Sequence, residues 1–132
     1  MNAFQVQMNL EDVNRISVLG LAHIGDGVYE LLVRSMLCAG GHQAIRDLHQ
    51  TTVRYVNAPA QARATERLLP LLSEEESAVF RRGRNAKVHG VPARASVAEY
   101  HTATGLEALF GWLYLLGRTE RISELFAAAM EG

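Results

Sequence analysis

Apolar side chains recur at three- and four-residue spacing along most of the chain, and period-two alternation is scarce, so the sequence reads as helix upon helix. The longest run, about Ser17 to Cys38, contains no proline and stops at Gly40-Gly41, which predicts a long central helix. A second run covers about Gln43 to Tyr55. Asn57 then offers a cap, with Pro59 in the first turn of a helix reaching about Leu69 and closed by Pro70. Ser73 and Glu76 have the spacing of a capping box, and Glu74 and Glu75 suit a helix N-terminus, so a helix is predicted from about Glu74 to Asn85. Lys87 to Ala95, with Gly90 and Pro92, predicts a loop, and Ser96 with Glu99 a short helical turn. Two more helices are predicted, about Gly105 to Leu116 and Thr119 to Met130, divided by Gly117. The expected fold is an all-α helical bundle, a single domain over 1–132 with its core at about 17–130.

Two acids interrupt this apolar pattern. On the central helix, the residues spaced to share a face with Asp26 are Leu19, Ala22, Glu30, Val33 and Leu37. The other faces carry Val18, Leu21, Ile24, Val28, Leu31 and Leu32, so burial on several sides is expected. An ionised carboxylate there costs several kcal/mol, roughly, unless a cation or hydrogen-bond donors replace the lost water. Gly25 and Gly27 flank Asp26, and a glycine inside a helix costs on the order of 1 kcal/mol against alanine, which implies that a neighbour approaches the backbone closely. Between Leu106 and Leu116 the only charged residue is Glu107, and Gly111 lies one turn further along its face, where it could admit another helix.

Two apolar helices each carrying a misplaced acid can bring those acids together, and paired carboxylates repel unless a cation lies between them. Oxygen ligands with positions left open for water suit Mg²⁺. Held this way, magnesium supports phosphodiester hydrolysis. Structural alternatives stand beside each reading. Thr104 to Glu107 also has the spacing of a capping box at a helix start, Asp26 could pair with Arg34 or Arg118, and Glu30 could pair along its own helix edge.

Charge sharpens the chemistry. The net charge of −1 argues against bulk electrostatic binding of nucleic acid, yet Ser77 to Ala98 contains no acid while holding Arg81, Arg82, Arg84, Lys87, His89 and Arg94. That basic segment supplies a reason for phosphate to be there; a solvated helix end favouring cations beside the C-terminal dipole is the structural alternative. The single cysteine, Cys38, forms no internal disulfide and leaves too little sulfur for a zinc site, which fits a reducing compartment. No leader-like start and no bilayer-length apolar run is evident, so a soluble cytoplasmic protein without membrane contact is expected.

Leu19-Gly-Leu-Ala-His-Ile-Gly-Asp26-Gly-Val-Tyr-Glu30 resembles the signature helix of ribonuclease III domains, and Ala103-Thr-Gly-Leu-Glu107-Ala-Leu-Phe-Gly-Trp-Leu-Tyr114 resembles their second acidic motif. Tyr55 to Ala62, Arg81 to Lys87 and Gly117 to Arg121 are similar to the branch made of the catalytic domain alone, mini-ribonuclease III. The likeness covers about Val18 to Met130. It implies a ribonuclease III endonuclease domain working as a homodimer, each subunit using Mg²⁺, or Mn²⁺ in its place, to cut one strand of double-stranded RNA and leave 5′-phosphate and 3′-hydroxyl ends.

By that resemblance Asp26 and Glu107 are catalytic and metal-binding, with Glu30 an auxiliary candidate ligand. Positions where longer ribonucleases III carry further acids hold Leu19, Ala22 and Thr104, as in the short branch. Without a double-stranded-RNA-binding domain the catalytic dimer must grip RNA itself, through Arg81, Arg82, Arg84, Asn85 and Lys87, with His49, Arg54, His89 and Arg94 secondary. The implied substrate is the stem flanking precursor large-subunit (23S) ribosomal RNA, with a ribosomal protein as a candidate partner on it. A catalytically inactive, RNA-binding relative in ribosome assembly is the alternative.

Overall fold

The computed structural model describes residues 2–41, 44–87 and 95–131. Among them are seven α-helices: α1 Leu10–Asn14, α2 Val18–Ala39, α3 Ile45–Val56, α4 Ala58–Leu68, α5 Glu74–Arg84, α6 Val97–Leu115 and α7 Thr119–Ala129, with a 3-10 turn at Leu69–Leu71. The bundle is organised around α6, which packs against α2, α4, α5 and α7. A helix apolar on every side can only be stable as the centre of a bundle, and Leu106, Leu109, Phe110, Trp112 and Leu113 of α6 are all fully buried or nearly so.

Most boundaries follow local chemistry visible in the chain. Ser17 caps α2 by accepting from the Gly20 amide, and Asn57 caps α4 by accepting from Ala60, with Pro59 in the first turn. Ser73 and Glu76 form a complete capping box on α5, and Ser96 and Glu99 another on α6. Gly117, at φ 76°, ends α6: its amide reaches the Tyr114 carbonyl and that of Arg118 reaches Leu113, so two otherwise orphaned carbonyls are satisfied.

Three expectations change. The short turn at Ser96 and the helix expected from Gly105 are one helix, α6, because Gly105 is a contact point and not a start: a Cβ there would lie 2.8 Å from Phe80. Thr104 is therefore no cap, and its hydroxyl instead donates to the Tyr100 carbonyl at 3.0 Å. The core also reaches further toward the N-terminus than position 17, since Val13 is fully buried, the Trp112 indole donates to Asn14, and the Met8 amide bonds the Leu115 carbonyl at the end of α6. Finally, α2 is buried along one face and not on several: Leu19 and Leu31 are 43% and 54% exposed. The loop expected between Lys87 and Ala95 lies largely outside the described residues, as do His89 and Arg94.

Candidate active site at the crossing of two helices

The approach of α2 to α6 is set by two glycines. A Cβ on Gly25 would fall 1.6 Å from the Glu107 carbonyl oxygen, and one on Gly111 would fall 2.0 Å from that of Leu21. No side chain fits either space, so the two backbones touch. Gly27, by contrast, has nothing within 4 Å, and only the first of the two glycines beside Asp26 serves this contact. The crossing places Asp26, next to Gly25, against Glu107, one turn before Gly111.

Glu107 is half-buried, and its carboxyl is pushed up to about 8, first by burial and then by the charge of Asp26 and a hydrogen bond with it. Asp26 itself is exposed, contrary to the buried acid expected, because α2 turns that edge to solvent. Neither arginine considered as a partner reaches Asp26. Arg34 pairs with Glu30 at 3.1 Å, and Arg118 lies over the Trp112 ring and 3.9 Å from Glu75. Glu30 thus sits in an ion pair along its own helix. Among the described residues the group that eases Glu107 is a neutral amide: Gln61 Nε2 donates to its Oε2 at 3.5 Å.

Gln61 received no role from sequence, although a signal was present. Four α4 residues are buried, Gln61, Ala64, Thr65 and Leu68, and Gln61 is the misfit among them at 2% exposure. Tyr29 of α2 is a second buried polar group beside Glu107. Its ring packs edge-on to Phe110 and Phe126, its buried hydroxyl has no hydrogen-bond partner, and burial raises it to about 12, with Arg67 opposing and Glu107 adding to the shift.

The basic residues line up on a second crossing of α6. A Cβ on Gly83 would meet Ala108 and Gly105 at 2.8 Å, so the last turn of α5 lies directly on α6 just before Glu107. Arg81, Arg82, Arg84 and Asn85 are exposed there, with Lys87 just beyond. Arg84 leans over the Phe80 ring and bonds Asn85, while Arg81, Arg82 and Asn85 line an open concavity of about 610 Å³ with Val18 and Ala78. His49 and Arg54 stand apart on exposed faces of α3, and His49 shares a separate pocket with Arg34 and Cys38 of the C-terminal half of α2.

Among the described residues no cluster of three or more metal-binding side chains occurs, so the candidate site consists of two carboxylates open to solvent on one side. That donor set suits Mg²⁺, which keeps several waters and is commonly held by one or two carboxylates together with substrate phosphate. The observation that makes the fit is two facing carboxyl groups with no lysine or arginine paired to either among the described residues.

Residues 19–118 match the Ribonuclease III domain family. A mini-ribonuclease 3 from Symbiobacterium thermophilum is 48% identical over 94% of this chain and 95% of its own length, and one from Enterococcus faecalis is 39% identical over 88% and 89%. A crystal structure of a protein from Fusobacterium nucleatum superposes with a TM-score of 0.81 at 32% identity, covering 88% of this chain and 94% of the other.

Proposed function

The chain belongs to the ribonuclease III family, in its mini-ribonuclease III branch, and from that premise we propose that this endoribonuclease cuts double-stranded RNA with Mg²⁺ held between Asp26 and Glu107. The observation that carries the reading is the acid pair at the α2–α6 crossing, left without a protein cation among the described residues while a basic helix end is anchored to the same helix. Asp26, exposed, is the ligand that faces substrate, and Glu107, half-buried, closes the site from behind. Bound between them, the ion would supply Lewis-acid activation of a water and charge stabilisation at the scissile phosphate. Arg81, Arg82, Arg84, Asn85 and Lys87 hold the RNA backbone. A-form RNA offers phosphates and 2′-hydroxyls across its minor groove, so shape and spacing, more than sequence, determine binding.

Cutting both strands requires two sites. Leu19 and Leu31 expose apolar surface on α2, the helix that carries Asp26, and this supports a homodimer in which each subunit cuts one strand, leaving 5′-phosphate and 3′-hydroxyl ends. The stem flanking precursor 23S ribosomal RNA is the substrate we assign, with a ribosomal protein on it as a candidate partner and Mn²⁺ as a substitute ion.

Cleavage of an end-labelled RNA stem tests this. It should need Mg²⁺, stop in EDTA, and fall by at least about a thousandfold in Asp26→Asn and Glu107→Gln, as loss of several kcal/mol of transition-state stabilisation requires. Binding without cutting across several stems would favour the inactive RNA-binding relative. Replacing Arg82 and Arg84 together with alanine should weaken RNA binding and lower the salt dependence by up to about two released counterions. An unchanged affinity across a salt series would remove those arginines from the interface.

A further inference from the structure

A glutamine as buried as Gln61 needs a reason. Its neighbours on the inner face of α4, Ala64 and Leu68, show that an apolar side chain suits the packing, and an amide taken from water costs free energy unless it is bonded. The amide nevertheless faces Glu107. Its backbone is well fixed: the Gln61 amide donates to the carbonyl of the cap residue Asn57, and its carbonyl accepts the Thr65 hydroxyl at 2.7 Å. The side chain is thus launched from a capped and internally bonded first turn.

Charge explains why an amide stands there. A lysine or arginine would cancel the negative charge that attracts a divalent cation, and of the two arginines of α4, Arg63 is exposed and Arg67 is turned away to the Ala129 carbonyl at the end of α7. An ionised carboxylate accepts only, so the NH₂ end of Gln61 fits it and the oxygen end does not.

We propose that Gln61 is a positioning residue for the metal site, a neutral donor that holds Oε2 of Glu107 so that its other oxygen faces Asp26 and the cation. The proposal rests on the reading that Asp26 and Glu107 hold Mg²⁺. Partners of this kind, bonded to ligands without touching the ion, commonly change metal affinity or activity by about 10- to 100-fold.

Mn²⁺ binding to the RNA-free protein, followed by loss of the free-ion electron paramagnetic resonance signal, separates the possibilities. Gln61→Met keeps shape and removes the donor. Expected are Mn²⁺ binding weakened by about tenfold or more, a matching fall in kcat, and an unchanged KM for the RNA stem. A folded Gln61→Met protein that binds Mn²⁺ like the wild type would overturn the positioning role and leave the acid pair standing. A wild type that binds no Mn²⁺ would bring down the acid-pair reading, and this proposal with it. Should Gln61→Met fail to fold by circular dichroism, the side-chain NH₂ resonances of Gln61 in the wild type decide the matter. They shift as Mg²⁺ saturates the protein if the amide holds a ligand, and resonances unmoved by Mg²⁺ refute it.

Discussion

Glu76 opens α5 and Glu107 sits midway along α6; each is a glutamate drawn into a largely apolar interior, and their surroundings differ in sign. Glu76, 4% exposed, receives Arg121 on both oxygens, Nε at 2.9 Å and a terminal nitrogen at 2.8 Å, and accepts the Ser73 amide as well. Arg121 in turn reaches Glu124 and the Leu71 carbonyl, tying α7 to α5 and to the turn before it. The Arg121 hydrogen bond is the largest influence holding Glu76 below the ordinary carboxylate value of 4.5. Glu107 meets another acid and a neutral amide, and is pushed up to about 8. The bundle can bring an arginine to a buried acid where the acid's work is structural. At the α2–α6 crossing it brings a second carboxylate, and in the function proposed above a cation from solution would complete the group.

The largest effect on stability should come from breaking the satisfied acid. Glu76→Gln leaves Arg121 short of its main partner, and removing one member of a buried pair costs about 3–5 kcal/mol when both are fully enclosed. Because the Arg121 side chain is 28% exposed, solvent screens part of this, and we expect about 2–3 kcal/mol, a fall in Tm of roughly 10 °C. The pH dependence follows from the depressed pKa. The contribution is present above 4.5 and is lost as pH falls through the lower folded value, so wild type and variant should converge in acid. Equal Tm values at pH 7 would mean that the pair contributes nothing.

This contrast was only half legible in the chain. Caps could be read because they depend on neighbours in sequence: Asn57, Ser73 with Glu76, and Ser96 with Glu99 all act within three residues of themselves. The misplaced acids could be read because an acid among apolar residues is visible without knowing the fold. Pairing could not. Arg121 lies 45 residues from Glu76 and Gln61 lies 46 from Glu107, and no local pattern selects those partners from the other arginines and amides. Gly105 misled for a related reason, since a glycine that admits Phe80 and one that begins a helix look alike until the neighbouring helix is in place. The exposure of Asp26 was missed because the pattern of α2 is apolar nearly all round, whereas its packing covers one side.

The smaller effect, opposite in sign, concerns the unsatisfied acid. With its pKa raised from 4.5 to about 8, Glu107 keeps its proton longer in the folded protein than in the unfolded chain, so the folded state binds more protons between those values. Stability of the metal-free protein must then fall as pH rises through that window. In EDTA, Asp26→Asn removes the opposing charge but not the burial, which is the larger cause, so the decline should become shallower and not vanish. Above pH 8 the variant should melt a few degrees higher than wild type, on the order of 1 kcal/mol. Taking the difference between the two proteins cancels other titrating groups, the histidines included, as long as they do not couple to Asp26. Mg²⁺ should raise the wild-type Tm at pH 8.5 and leave that of Asp26→Asn nearly unchanged, reversing their order. A substitution that stabilises the empty protein while abolishing its response to the ion is what an acid kept for metal binding predicts; a structural acid, like Glu76, predicts loss of stability under both conditions. An Asp26→Asn protein that melts below wild type in EDTA at pH 8.5 would place Asp26 with Glu76 and end the distinction.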